Sequence, residues 1–366
     1  MIICIIGNPN SIHVHRWVKH FKSEGDIIHL IGEHTPIAPI PEGIIFHDLT
    51  IKINIRKLRY LVWALHVRQI LEKIKPDILH AHSVVSAGWL GAAAGFHPFL
   101  ITAHGSDLLL LEKRSWFFQK LTKWAINKAD YVTCVSENLA NKAKILGVKP
   151  ERVEVIPIGV NLITFQPSLN SQYLRHKLGL GAEPIVLSIR AMNPTYNLLD
   201  IAKAIPRVLE QVPQTRFLIF AYNIDQDYFS QFKHYLVDEI ASGSVRVVQN
   251  LPDDKAIAEY YQVCDVAISV PSSDGTPVSV LEAMACGTAV IASDLPSLHD
   301  WISSEQDGLI IPVGDIQAIT NAVIRLIQDK HLRNKLGINA AGRIQKQGNN
   351  QYWMQRMMGI YHALTR

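Results

Sequence analysis

Residues Ser269–Ser297 read SVPSSDGTPVSVLEAMACGTAVIASDLPS. A short apolar run, Val266–Ser269, leads into this stretch, and a second, Ala289–Ala292, closes it. Both have the continuous apolar character of parallel strands buried on two faces. Between them the turn Ser273-Asp274-Gly275-Thr276-Pro277 delivers the chain to an apolar helical segment, Val280–Ala285. Strand, turn, helix and strand in that order make a βαβ unit. A helix opening here presents unpaired N–H groups and the positive end of its dipole, an environment that attracts anions and above all phosphate. Gly275 permits close backbone approach. Pro277 forfeits no helical hydrogen bond in a first turn, and the backbone of Pro277, Val278 and Ser279 opens the helix towards the anion. Glu282 stands eight positions after Asp274, in the first or second turn. A carboxylate repels phosphate, so Glu282 suits hydroxyl groups beside it. The same spacing also fits an acidic turn that merely complements the helix dipole.

The βαβ reading extends in both directions. Towards the N-terminus, apolar strand-like runs occur at Ile2–Ile6, Asp26–Ile31, Ile44–Phe46, Ile78–Ala81, Phe99–Ala103, Tyr131–Val135 and Val153–Ile156. Helical patterns separate them, among them Ile12–Glu24, Lys57–Ile74, Trp116–Lys128 and Glu137–Leu146. The polar, aperiodic NLITFQPSLNSQ (Asn161–Gln172) interrupts the series and reads as a linker. A second series follows, with strands at Ile185–Ser188, Arg216–Phe220, Val245–Val248, Val266–Ser269, Ala289–Ala292 and Gly308–Ile311. The pattern predicts an α/β protein of two Rossmann-like, doubly wound parallel-sheet domains facing a central cleft. Residues 1–165 form the first and 166–349 the second, and the last helix, 350–366, is expected to pack back on the first.

At 48% hydrophobic and 19% charged residues the chain is globular, and its 366 residues suit two cores. No apolar run approaches the ~20 residues that span a bilayer. The opening MIICIIGNPN lacks a basic region and reads as a first strand, not as a signal peptide. Cys4, Cys134, Cys264 and Cys286 are isolated, with neither CxxC nor zinc spacing, and fit reduced core thiols of a cytoplasmic protein. Residues 1–165 carry 19 Lys and Arg against 13 Asp and Glu, whereas 166–366 carry 17 against 19. A basic first half points to an anionic partner surface. No nucleic-acid motif is present, which leaves an anionic membrane. LEKRSWFFQKLTKWAINKAD (Leu111–Asp130) interleaves Lys113, Arg114, Lys120, Lys123 and Lys128 with Trp116, Phe117, Phe118 and Trp124, as interfacial helices do. Ile55–Lys75 repeats the theme. Both also fit ordinary amphipathic helices that lay their aromatics on a sheet.

With Pro271, Ser272, Gly275, Pro277, the run Leu281-Glu282-Ala283-Met284-Ala285, Gly287 and AVIAS, the opening stretch resembles the E-x7-E signature of retaining glycosyltransferases of family 4. Three further patches agree with that resemblance. ITAHGSDLLL (Ile101–Leu110) is similar to the family's HG-x-D segment. GNPNSIHVHRW (Gly7–Trp17), with Asn8, Ser11 and His13, lies where the acceptor-side loop lies. SIRAMNPTYN (Ser188–Asn197) takes the place of GR-x-x-x-x-KG. The resemblance implies the GT-B fold and metal-independent, cofactor-free transfer from a UDP- or GDP-linked sugar. It implies a glycan or lipid-linked acceptor, in bacterial cell-surface polysaccharide or glycoconjugate synthesis, at the inner face of the cytoplasmic membrane. Retention would follow a front-face route without a dedicated nucleophile. By the same resemblance Glu282 holds the ribose and Asp274 meets the hydroxyls of the transferred sugar. His104 lies near that sugar and the reacting centre, and Arg190 clamps the diphosphate. Without it, His104 also fits a turn residue, Arg190 a surface ion pair, and His13 and His15 the face of a helix.

Two departures stand out. The first acidic position is Asp274, a methylene shorter than the family's Glu. The family's diphosphate lysine falls on Thr195, or on Tyr196 with a one-residue insertion, and neither is cationic. Tyr196 and Asn197 offer hydrogen bonds instead, which hold a developing charge less well than an ammonium does. The alternative is therefore a catalytically degenerate nucleotide-sugar-binding or scaffold protein. No Asp-x-Asp pair stands at a strand end, and Asp225 and Asp227 in NIDQDYF read as a polar loop.

Overall fold

The computed structural model describes residues 1–37, 39–50, 56–168, 171–249 and 252–366. The chain forms two compact units, Met1–Ile158 with Gln351–Arg366, and Gly159–Asn350.

In the first unit, β1 (Ile2–Ile6), β2 (Ile27–Gly32), β3 (Ile44–Asp48), β4 (Ile78–His82), β5 (Phe99–Ala103), β6 (Tyr131–Cys134) and β7 (Val153–Val155) form one parallel sheet. Their order is β3-β2-β1-β4-β5-β6-β7, so the winding reverses between β1 and β4. The central strands are short, mostly β-branched and covered on both faces, and β4 and β5 are buried at every position. The terminal helix, Asn350–Leu364, buries Met354, Met357, Ile360 and Tyr361. They join Trp17, Val18 and Phe21 of the helix Ile12–Ser23 and Ile3, Ile5 and Ile28 of the sheet. Each such side chain contributes roughly 1.5–3 kcal/mol by leaving water, and these contacts hold the end of the chain in the first unit. The bidentate Arg356–Glu154 pair is partly exposed and adds about 0–1 kcal/mol.

In the second unit, β8 (Ile185–Ala191), β9 (Arg216–Tyr222), β10 (Val245–Val248), β11 (Val266–Ser269), β12 (Ala289–Ser293) and β13 (Leu309–Ile311) are parallel in the order β10-β9-β8-β11-β12-β13. Here the reversal falls between β8 and β11. The helices Leu198–Gln211 and Ile316–Gln328 cover one face, and Val278–Ala285 and Lys330–Gln347 the other. Gly337 lets the helix Lys330–Gln347 close on the turn after Val278–Ala285. A Cβ there would stand 2.1 Å from the Gly287 carbonyl oxygen.

Several expectations shift. Phe165, inside the stretch read as a linker, is buried in the second unit's core, and the helix Ser171–Lys177 begins before that stretch ends. Leu169 and Asn170 of the same stretch, and Ile55 of the second basic segment, lie outside the described residues. Asp225 is no free loop residue. Its carboxylate accepts from Tyr228 N at 3.0 Å and caps the helix Gln226–Tyr235, because Asp at that position satisfies an otherwise open donor. The helix after the Asp274 turn starts at Val278, two residues early, with Pro277 as its N-cap and not its first-turn residue. All four cysteines are buried free thiols, and burial pushes the Cys4 thiol up to about 12. Among the described residues, no helix is long and apolar enough to cross a membrane.

Candidate active site

In doubly wound sheets ligands meet the strand C-termini where the winding reverses, and each unit places expected site residues there. In the second unit, Arg190 is the penultimate residue of β8, and the Asp274 turn leaves the neighbouring β11. Arg190 is only 6% exposed. Its Nη1 donates to Ser279 Oγ at 2.7 Å, and its Nη2 donates to the Asp274 carboxylate. The Tyr196 ring lies 4.2 Å from the guanidinium carbon, a cation–π contact. Arg190 Nε is buried and has no partner among the described residues. Burial opposes the guanidinium charge, but Asp274, with Tyr196 and Tyr222 around it, outweighs this and holds the pKa above the usual arginine value.

Local bonds fix this geometry. Ser297 Oγ donates to the Asp274 carbonyl at 2.8 Å. Asn197 adopts a left-handed backbone, φ 49°, and its Nδ2 donates to the Val270 carbonyl at 3.0 Å. Ser272 N donates to the Thr195 carbonyl at 2.8 Å. The loops after β8 and β11 are thus tied together, and Asn197 serves as that tie. Tyr196 meets Arg190 through its ring face, because the short helical turn Pro194–Tyr196 turns the ring over the guanidinium. Gly275, Thr276, Pro277 and Val278 are buried along the turn, and Ser279 follows in the first helical turn. Glu282, also 6% exposed, sits one turn further along that helix. Its charge reaches Tyr222 at the end of β9 and Tyr261, whose ionisation burial already disfavours. Tyr222 was not singled out in the sequence. The signal was its place at a strand C-terminus beside β8.

The first unit brings together a different set. His104 follows β5, half-buried, and the Asp107 carboxylate organises its turn by accepting from the backbone N of Val84, His104 and Gly105. His104 Nε2 lies 3.1 Å from Nδ1 of His82, the last residue of β4, and the two rings stack at 5.3 Å. His13 also stacks on His104, at 5.9 Å. Burial holds His104 below the ordinary histidine value, against the pull of Asp107, and holds His82 and His80 well below it. Asn8 and Ser11 stand in the β1 exit turn, where Asn8 Oδ1 accepts from Asn10 N at 2.9 Å and Ser11 occupies the N-cap position of the helix Ile12–Ser23 without a side-chain capping bond. His80 and His82 were missed in the sequence, although two imidazoles at alternate positions of a fully apolar strand point to one face.

Among the described residues, no group of three or more His, Cys, Asp or Glu side chains is placed to hold a metal ion. The arrangement offers a buried guanidinium and a helix start for an anion, and a buried carboxylate for hydroxyl groups one turn away.

Comparison with known proteins agrees. Residues 2–136 match the family described as glycosyl transferase 4-like, and residues 171–343 match glycosyl transferases group 1. The chain is 27% identical over 313 residues to UDP-Gal:alpha-D-GlcNAc-diphosphoundecaprenol alpha-1,3-galactosyltransferase of Escherichia coli, covering 80% of this chain and 79% of that protein. It is 22% identical over 362 residues to N-acetyl-alpha-D-glucosaminyl L-malate synthase of Bacillus anthracis, covering 95% and 92%. In fold it is similar to sucrose-phosphate synthase of Thermosynechococcus elongatus, with a TM-score of 0.85, 22% identity and coverage of 100% and 99%. It is also similar to an Anabaena protein solved in complex with UDP and glucose, with a TM-score of 0.83, 17% identity and full coverage of both chains. Both halves of the sequence and both sheets lead to the same place: the chain is a GT-B glycosyltransferase and belongs to glycosyltransferase family 4.

Proposed function

We propose that this enzyme is a retaining, metal-independent hexosyltransferase that moves a sugar from a UDP- or GDP-linked donor to a glycan or lipid-linked acceptor in bacterial cell-surface polysaccharide or glycoconjugate synthesis. The observation that carries the reading is the buried Arg190 at the end of β8, beside a helix start and one helical turn from the buried Glu282. A diphosphate leaving group needs fixed positive charge and N–H donors where its charge develops, and Arg190 and the Ser279 backbone N–H supply them, the Val278 N–H being held by the Thr276 carbonyl at 2.9 Å. Glu282 accepts from the ribose hydroxyls. Asp274 meets the transferred sugar once the diphosphate has taken over Arg190. On the first unit, His104 serves the sugar, and Asn8, Ser11 and His13 the acceptor. The names of two relatives support a lipid-linked acceptor, the Escherichia coli galactosyltransferase and the N,N'-diacetylbacillosaminyl-diphospho-undecaprenol alpha-1,3-N-acetylgalactosaminyltransferase of Campylobacter jejuni.

An anionic membrane at the inner face of the cytoplasmic membrane fits the helix Trp116–Lys128. Trp116 is 68% and Phe117 57% exposed, Lys120 caps the Trp116 ring at 5.0 Å, and Thr122, Ala125 and Ile126 face the core. Ordinary packing buries such aromatics, and an interface gives them both an apolar and a charged environment.

The test is a thermal-shift screen with UDP-glucose, UDP-galactose, UDP-N-acetylglucosamine and GDP-mannose, followed by donor hydrolysis with and without membrane extract. Stabilisation by one donor and turnover that rises with extract are expected, whereas stabilisation by none would sink the reading. The Asp274 pairing and the uncharged Tyr196 favour a second reading, a nucleotide-sugar-binding protein without transfer. It predicts a thermal shift with no turnover.

A further inference from the structure

Imidazoles stand in a row at the C-terminal ends of β4 and β5. His80 is fully engaged. Its Nδ1 meets the Tyr361 hydroxyl at 2.5 Å, and its Nε2 meets Thr102 Oγ1 at 2.6 Å, which continues to Thr133 Oγ1 at 2.6 Å. His82, 4% exposed, packs between the His80 ring at 4.2 Å and the Trp17 ring at 6.3 Å. Its Nδ1 lies 3.1 Å from His104 Nε2. The remaining nitrogens of the pair, His82 Nε2 and His104 Nδ1, are buried and have no partner among the described residues.

Two neutral rings carry two protons on four nitrogens. One N–H lies in the bond between them, so one is left over. If His104 donates, the surplus proton sits on His82 Nε2, enclosed by Trp17 and by a His80 ring whose nitrogens are both taken. If His82 donates, it sits on His104 Nδ1, on the half-buried ring and in the field of the Asp107 carboxylate. An enclosed N–H without an acceptor costs about 1–3 kcal/mol. Both nitrogens are buried, so this cost falls on either arrangement, and the second alone gains the charge of Asp107.

We propose that His82 is a positioning residue for sugar transfer: its Nδ1–H pins His104 Nε2, fixes His104 in the Nδ1–H tautomer, and so holds the ring in place and leaves it no free nitrogen to accept a proton. The proposal rests on the placing of His104 at the transferred sugar. The groups facing the pair are His80 on β4, His13 and Trp17 on the helix Ile12–Ser23 and Asp107 after β5, with Thr102 and Tyr361 beyond His80. Burial keeps both rings neutral at pH 7. As the pH falls, His104 gains its second proton at Nε2, which then repels the His82 N–H, and the bond is lost. The His82 bond stabilises neutral His104. Its removal therefore raises the His104 pKa and moves the acid limb of activity to higher pH.

The test uses the full chain with 15N-labelled histidine, the His104 signals being assigned through His104→Ala. Wild type is expected to show His104 as Nδ1–H. His82→Leu is expected to return it to Nε2–H, the form that free side chains favour in water. With UDP-glucose or GDP-mannose, whichever stabilises the enzyme, His82→Leu lowers kcat about 10- to 100-fold and moves the acid limb up. It leaves the thermal shift by UDP or GDP intact. His82→Asn, which puts an amide nitrogen near the Nδ1 position, recovers most of kcat, and His82→Leu adds nothing on a His104→Ala background. An Nε2–H tautomer in wild type, an unchanged tautomer in His82→Leu, or additive losses would overturn the proposal. Full turnover by His104→Ala would remove it together with the reading of His104. Failure of every donor to bind would instead remove the donor reading, and the tautomer spectrum would still decide for or against His82.

Discussion

Asp274→Ala isolates the charge on which the donor side turns. Asp274 and Arg190 form a largely enclosed pair, their side chains 15% and 7% exposed. Removing one partner of a buried pair typically costs about 3–5 kcal/mol, because the other charge stays buried without compensation. Ser279 Oγ and the Tyr196 ring remain on Arg190, which places the expected loss at the lower end, about 3 kcal/mol. For a unit the size of Gly159–Asn350 this is a fall in Tm of about 6–12 °C, read on the transition of that unit by calorimetry. UDP and GDP then separate two roles for Asp274. In wild type the diphosphate must displace the carboxylate from Arg190, whereas in the variant it supplies the missing charge. If the variant binds UDP or GDP ten times more tightly, saturating nucleotide stabilises it by about 1.4 kcal/mol more than wild type. The corresponding UDP-sugar or GDP-sugar gains less, because Asp274 no longer meets the sugar. Asp274→Asn, run in parallel, keeps the shape without the charge and should fall between the two. A Tm within about 1 °C of wild type would refute the claim that Arg190 depends on this carboxylate. A nucleotide shift lost with Asp274 would refute the competition and make Asp274 a support for the diphosphate.

Glu282→Ala should weaken UDP or GDP binding by at least about tenfold, since two ribose hydroxyls lose a charged acceptor. Calorimetric titration at constant salt reads this, and unchanged affinity would remove the ribose role. Gly337→Ala should destabilise the second unit by more than about 2 kcal/mol in urea, because the new Cβ meets the Gly287 carbonyl oxygen at 2.1 Å. Trp116→Ala with Phe117→Ala should lower binding to phosphatidylglycerol-containing vesicles about tenfold or more by sedimentation. Equal binding at low and high salt would speak against the lysines of that helix.

The two sheets were legible because their strands are short and apolar throughout, a pattern that only strands covered on both faces require. Ile185–Ser188 and Val266–Ser269 could be placed as strands, but their adjacency follows from the reversal of winding between β8 and β11, which no local pattern encodes. That adjacency brings Asp274 to Arg190 across 84 positions of sequence. The sequence could therefore single out Asp274 and Arg190 as candidate site residues, but not that each is the other's partner. The same holds for Tyr196, where the missing lysine was visible and the use of the ring face was not. One cation and two carboxylates, Arg190, Asp274 and Glu282, act on the same Tyr222. On the proposed reading a diphosphate reaches Arg190 where the Asp274 carboxylate gives way. Glu282 lies within a helix, while Asp274 lies in a turn, tied through its own carbonyl to Ser297 and through its side chain to Arg190. In that reading the shorter Asp274 is an acidic group that exchanges partners, and the exchange would offset on binding the lysine whose place the resemblance gives to Thr195 or Tyr196.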